Sequence, residues 1–247
     1  WLANMVSGNP GTSLVNGQPI ADLIGKRLPS SLVLAGATAV VSVPLALALG
    51  ILSAMYRGSL FDRAVNMGAV SLVSVPEFLI ATLAVLVFAV KLRWLSALSH
   101  TADIATFGAF LRAYAMPVFT LCCVIVAQMA RMTRAAVIDQ LNSPYIEMAR
   151  LKGARPVRIV LTHALPNAIG PIANAVALSL SYLLGGVLIV ESIFNYPGIA
   201  NLMIDAVTTR DIPLVQACAM IFCGAYLLLV MLADILAIVS NPRLRNS

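Results

Sequence analysis

The chain has 247 residues, of which 60% are hydrophobic and only 11% charged, with a mean hydropathy of +0.94. A soluble domain averages about 25% charged residues, so a soluble globular fold is excluded and the chain belongs in a bilayer. The formal charge of +6 does not point to nucleic acid, because the Lys and Arg residues lie in short loops rather than on one face.

In chain order, a polar, Gly-rich leader over residues 1–29 comes first, beginning at Trp1 without a methionine or signal segment. Within it, Ile20 to Leu28 is compatible with a short amphipathic helix on the outer surface. Five stretches are then long enough to cross about 30 Å of hydrocarbon, which takes roughly 20 helical residues. They lie between Arg27 and Arg57, between Arg63 and Lys91, between Arg112 and Arg131, from about Asn167 to Val190, and from about Ile212 to a point before Arg243. The second holds Glu77 and the fifth Asp234, acids expected to face the bundle interior or an interface. Lipid satisfies no backbone polar group, so the spans are helices and the fold is an all-α polytopic membrane protein. Pro44, Pro76, Pro117 and Pro171, with Gly185-Gly186, fall in or near the spans and are places where helices can bend.

Positive charge sets orientation. Ten Lys and Arg residues lie in the loop near 56–63, the segment 131–166 and the tail 241–247; six lie in the leader and the loops near 91–112 and 191–211. The first group is therefore expected in the cytoplasm and the N-terminus outside. An external N-terminus of this kind is easiest to explain by a sixth, N-terminal span outside this sequence.

Residues 143–166 form a basic, polar island between apolar runs. Ser143 is a candidate N-cap, Pro144 suits the first helical position, and Gly153 suits the stop. A second short helix is expected from Pro156, with Val157, Val160, Leu161, Ala164 and Leu165 on one stripe. The first helix is shorter than the roughly 12–15 residues that an isolated helix needs in water, so something must hold it, and a partner protein is the economical guess. The outer loop 191–211 carries Phe194, Asn195 and Tyr196 before a Pro197-Gly198 turn, then a short helix. It reads either as an interfacial aromatic belt with a surface helix or as a re-entrant segment at the mouth of a path.

Chemistry-bearing patterns are sparse. No Gly-x-x-x-x-Gly-Lys-Ser/Thr phosphate loop occurs, and no nucleophile–base set or metal spacing surrounds His100 or His163. Cys122, Cys123, Cys218 and Cys223 sit in apolar runs and suit packing. The chain is not expected to be an enzyme.

The island reads Glu147-Met148-Ala149, Arg150-Leu151-Lys152, Gly153 and then Leu165-Pro166, which resembles the EAA loop of binding-protein-dependent ABC importer permeases. Met148 stands where a small residue is common. Pro144-Tyr145 through Gly153, His163-Ala164-Leu165-Pro166-Asn167-Ala168, and Gly185-Gly186 through Glu191-x-Ile193-Phe194-x-Tyr196-Pro197-Gly198 are similar to the dipeptide/oligopeptide/nickel branch. So is the ending, Asp234 followed by Asn241-Pro242-Arg243-x-Arg245, while Gly11-Thr12-Ser13 and Arg27-Leu28-Pro29 resemble its B-type subunit.

The resemblance implies a type I importer permease: a leader over 1–29, one transmembrane domain over 30–240 and a cytoplasmic tail. It implies a bacterial or archaeal inner membrane and several partners: a second homologous permease, two cytoplasmic ATPases using ATP and Mg, and an external binding protein. No cofactor is expected on this chain, and no nucleic acid. Tyr145, Glu147, Ala149, Leu151 and Gly153 are implied as the ATPase-coupling residues. Glu191, Phe194, Asn195, Tyr196, Pro197 and Gly198 are implied at the path or its outer mouth. Peptides are the first substrate class, with nickel chelates, glutathione and short saccharides also carried by similar permeases. The competing readings are an ATP-independent secondary transporter or channel, and a membrane scaffold without a path.

Overall fold

The computed structural model describes residues 5, 7–98 and 106–240; His100 and the tail motif from Asn241 lie outside them. Helix dominates the described residues, and the leader adds an isolated antiparallel bridge between Thr12 and Pro19. α1 spans Ile20–Met55 and is 36 residues long. It therefore absorbs the short leader helix expected from the sequence. Gly25-Lys26-Arg27 offers no stop strong enough to end a helix whose next turns must stay hydrogen-bonded in lipid.

The second expected span is not one straight helix. α2 (Leu60–Ser74) and α3 (Glu77–Ala84, carried on by a wide π turn to Lys91) are bent by 100° at their junction. Pro76 has no N–H to donate and crowds the residue before it, so Val75 is pushed into the extended region at φ −94° and ψ 127°. Counting the bent pair as one crossing gives five spans; by single helices there are four among the described residues.

α4 runs Phe107–Leu141 with Pro117 inside it, and α5 is the eight-residue Pro144–Leu151. α6 is continuous over Pro156–Ile193, 38 residues. The second short helix of the island is thus the opening of the fourth span, not a separate element. A π turn over Ile159–Ala164 lies just before Pro166; widening there gives room where the proline ring would meet a carbonyl one turn back. α7 is Ile199–Thr208 and α8 is Ile212–Ser240. All four cysteines are free thiols.

The chain clusters into two compact units, and the long helices contribute to both. One gathers residues up to Ala39, Pro76–Leu121 and Leu183–Leu227; the other gathers Val40–Val75, Cys122–Tyr182 and Leu228 onward. In the first, buried Ile20 and Ile24 of α1 pack with Ile199 and Leu202 of α7 and Leu214 and Cys218 of α8.

In the second unit, Ala54 of α1, Val137 of α4, and Val160, Ala168 and Ile172 of α6 share a core. There α1 and α4 touch at the backbone: a methyl on Gly50 would come within 2.7 Å of the Ala130 carbonyl oxygen. One turn on, Asp62 of α2 is buried and accepts from Arg134 of α4 through Nε (2.7 Å) and Nη2 (2.8 Å). Its oxygens also take the Ser53 hydroxyl, the Asn66 amide (2.7 Å) and the Gly58 N–H (2.9 Å). One carboxylate thus ties together α1, the α1–α2 turn, α2 and α4.

Removing one partner from a buried ion pair leaves an uncompensated charge, which costs about 3–5 kcal/mol. Arg134→Met should therefore lower the thermal unfolding temperature of the purified protein by several degrees. A double variant that also carries Asp62→Leu should recover much of that loss.

Candidate functional site

Two local arrangements stand out, one on each unit. The first is α5. Ser143 occupies the N-cap position in extended conformation, but its hydroxyl bonds back to the Gln140 carbonyl and not to the helix amides. Pro144 starts the helix, and Gly153 ends it at φ +76°, a left-handed turn that a side chain would strain. The Gly153 and Ala154 N–H groups return to the carbonyls of Arg150 (2.9 Å) and Ala149 (3.2 Å).

What holds so short a helix to its own chain is Ile146. It is fully buried against Ile159 and Ala164 of α6, with Leu141, Ala149 and Ala154 around it. The opposite face is open: Tyr145 is 40% exposed, Met148 57% and Leu151 77%. Glu147, Arg150 and Lys152 are exposed around that apolar row. The Tyr145 hydroxyl donates to the Gln140 side-chain oxygen at 3.0 Å, which fixes the ring.

Of the expected coupling residues, Tyr145, Glu147, Leu151 and Gly153 lie at the surface. Ala149 turns partly toward the Ile146 cluster. Sequence reasoning passed over Met148, which sits in the row between Tyr145 and Leu151. Its signal was the spacing of three apolar residues at 145, 148 and 151, one helix face apart from Ile146.

The second arrangement is the corner after α6. Glu191 is fully buried, and its carboxylate meets the N-terminus of α7, accepting from the N–H groups of Ala200 (2.9 Å) and Asn201 (3.2 Å). The Ser31 hydroxyl of α1 donates to the other oxygen and in turn accepts the Ile199 N–H at 2.8 Å. This satisfies the unpaired amides of the first turn with an anion, the sign the helix dipole favours there. The carboxylate fills the space a Cβ at Gly198 would need.

Tyr196 is fully buried beside this. Its hydroxyl pairs with that of Tyr114 at 2.8 Å and donates to the Ser30 carbonyl, also at 2.8 Å. Burial, then the Tyr114 hydroxyl, pushes the Tyr196 phenol upward, so it stays neutral at all physiological pH. Phe194 is fully buried too, whereas Asn195, in the left-handed region at φ 47°, is exposed at the tip. The aromatic residues therefore pack inside this unit, and Asn195 is the side chain the corner presents outward. Glu77, at the start of α3, lays its carboxylate against Gly186 of α6.

Asp211, between α7 and α8, makes a comparable joint. It is buried and accepts the Ser13 hydroxyl and the Leu14 N–H (3.2 Å) from the leader, and the Leu214 N–H (3.4 Å) from α8. Burial alone would raise its pKa. The Ser13 hydroxyl and the N–H groups of Leu14, Leu214 and Val15 outweigh that and hold it below the usual carboxylate range.

Two outcomes test these joints. Gly198→Ala places a methyl on the Glu191 carboxylate and strips the α7 amides of their acceptor; a loss of about 2–3 kcal/mol should appear in thermal unfolding of the detergent-solubilised protein. For Asp211, the folded carboxyl is depressed below its unfolded value of about 3.9. Its stabilisation is therefore complete above that value and is lost as pH falls through the folded one. The gap in unfolding temperature between wild type and Asp211→Asn should be widest near neutral pH and close as pH is lowered below about 4.

Residues 46–246 match the family described as binding-protein-dependent transport system inner membrane component. A probable peptide ABC transporter permease protein, y4tP, of Sinorhizobium fredii is 33% identical over 245 residues, covering 99% of this chain and 78% of that protein. The glutathione transport system permease protein GsiC of Escherichia coli K12 is 36% identical over 246 residues, again covering 99% and 78%. In fold, the chain is similar to a chain of the MetNI methionine ABC transporter, with a TM-score of 0.70, 16% identity, and coverage of 89% of this chain and 96% of that one. With its membrane-length helices and exposed short helix, the chain belongs to the binding-protein-dependent inner membrane component family, the non-catalytic permease subunits of ABC transporters that work with a separate ATPase and a substrate-binding protein.

Proposed function

We propose that this chain forms half of the translocation path of an ATP-driven importer for di- and oligopeptides. The named relatives support that substrate class, since one is a peptide permease and the other serves glutathione, itself a tripeptide. In this reading the chain pairs with a second homologous permease. Each of the two docks its short helix on one of two cytoplasmic ATPases, where ATP and Mg bind. The segment 143–166 and the tail 241–247 face the cytoplasm, and the leader 1–29 and the loop 191–211 face outward.

The single observation that carries the reading is the apolar row of Tyr145, Met148 and Leu151, held out on a helix pinned by Ile146. An exposed apolar helix face seats in a groove of a partner. Glu147 flanks that row, Ala149 backs it against the chain, and Gly153 sets the angle at which the helix returns to α6. When the ATPases close, the docked helix moves, and α4 and α6 on either side carry the motion into the spans. At the outer mouth, Asn195 meets the binding protein or incoming substrate, while Glu191, Phe194, Tyr196, Pro197 and Gly198 keep the corner in shape. An ATP-independent secondary transporter accounts neither for the family nor for the exposed helix.

The test is ATP hydrolysis by the assembled complex with and without loaded binding protein. Met148→Asp, Glu147→Ala and Gly153→Val should each remove most of the substrate-stimulated rate while the permease still inserts. Stimulation unchanged in all three, or uptake that survives ATP depletion and fails on collapse of the proton gradient, would sink the coupling role. Small molecules released from the cognate binding protein after purification from cells should be short peptides.

A further inference from the structure

The second unit contains a cavity of about 450 Å³ that the coupling proposal does not use. Its apolar wall includes Ala54 and Met55 of α1 and Val157 and Val160 of α6, and its polar wall includes Arg57 and Arg150. Both arginines are exposed, and neither side chain has an ion pair or hydrogen bond among the described residues. No Asp or Glu lines the space. Two guanidinium groups lining one cavity without a counter-charge give it a positive potential that favours an anion.

The position of the cavity narrows the choice of anion. Three membrane-length helices begin or end at its walls: α1 ends at Met55, α4 at Leu141 and α6 begins at Pro156. The same two helix stripes then continue away from the arginines. Ile51 and Leu47, one and two turns back along α1, and Leu161 and Leu165, onward along α6, line an apolar groove of about 600 Å³ that reaches Leu229 and Leu232 of α8. The lining thus runs from two cations, through small and branched apolar residues, to a long leucine-rich channel. A free inorganic anion matches only the first part of that gradient.

We propose that this face holds one anionic phospholipid, its phosphodiester between Arg57 and Arg150 and an acyl chain along the Leu47–Leu165 groove. A zwitterionic headgroup would bring an ammonium toward the same two arginines and is disfavoured. The proposal rests on the membrane placement of the family and not on the coupling role above.

The test uses the permease assembled with its partner permease and ATPases, delipidated in detergent and followed by native mass spectrometry. Equimolar palmitoyl-oleoyl phosphatidylglycerol and palmitoyl-oleoyl phosphatidylcholine serve as probes. Wild type should retain phosphatidylglycerol preferentially, and Arg57→Gln with Arg150→Gln should cut that preference roughly thirtyfold, since each of the two cations near an anionic headgroup contributes about 1 kcal/mol. Arg63→Gln, an exposed arginine outside the cavity, should leave it unchanged. If the double variant does not assemble, Leu161→Trp fills the groove with the arginines intact and should lower phosphatidylglycerol retention.

Equal retention of the two lipids by wild type would overturn the proposal, as would an unaltered preference in both variants. Displacement of the lipid by millimolar inorganic phosphate would also overturn it, reducing the cavity to a free-anion pocket. So would retention by the isolated permease that vanishes on ATPase assembly, which would assign the arginines to that partner.

Discussion

Buried carboxylates at the ends of helices hold this molecule together. At a turn buried in protein the first amides of a helix have no water to turn to, and a polar group left unpaired there costs about 1–3 kcal/mol. The chain meets that demand three times with the same device. Glu191 caps α7, Asp211 joins the leader to the start of α8, and Asp62 gathers the α1–α2 turn. Each carboxylate is buried and takes its donors from more than one segment. A protein with only ten acidic residues thus spends three of them on fixing where the chain turns.

The exposed helix α5 depends on the same economy in an apolar form. Eight residues cannot sustain a helix in water by propensity alone. Ile146 supplies one anchor, and Leu141 contributes both to that anchor and to the larger core of α1, α4 and α6. The exposed row of Tyr145, Met148 and Leu151 is therefore built on packed side chains that continue into the spans, not on a loose loop. In the coupling role proposed above, that rigidity would matter more than affinity, because a flexible loop would absorb the displacement to be transmitted.

Much of this was legible beforehand. Spans follow from runs without charge, and the helix stop at Gly153 follows from a residue type that tolerates positive φ. The pairing of an anion with α7 was not legible, because Glu191 reads locally as one more loop acid; its partners, Ser31 and Ala200, lie 160 residues before it and nine after it. Phe194 and Tyr196 look like interfacial aromatics in sequence, yet both are fully buried. Hydropathy records that a ring prefers apolar surroundings and cannot say whether lipid or protein provides them. The same blindness to direction hid the 100° bend at Pro76: the proline marks a break, but its angle is set by what α2 and α3 pack against. Continuity failed in the opposite sense at Pro156 and Ile20, where polar residues suggested separate short helices and the backbone instead ran on.

The opening of α6 is where these threads meet. Ile159 and Ala164 face the anchor of the docking helix, while Val157, Val160 and Leu161 face the arginine-lined cavity and its groove. The π turn over Ile159–Ala164 places all of these except Val157 on a segment whose hydrogen bonding departs from that of a regular helix. A motion imposed on α5 therefore cannot pass into α6 without altering the shape of the cavity at its flank. An anionic lipid bound there would be gripped differently in the two states of the transporter. By linkage, its differential affinity would shift the balance between those states by the same amount. Membrane composition would then act on the importer at the opening of α6, without touching either the nucleotide or the substrate.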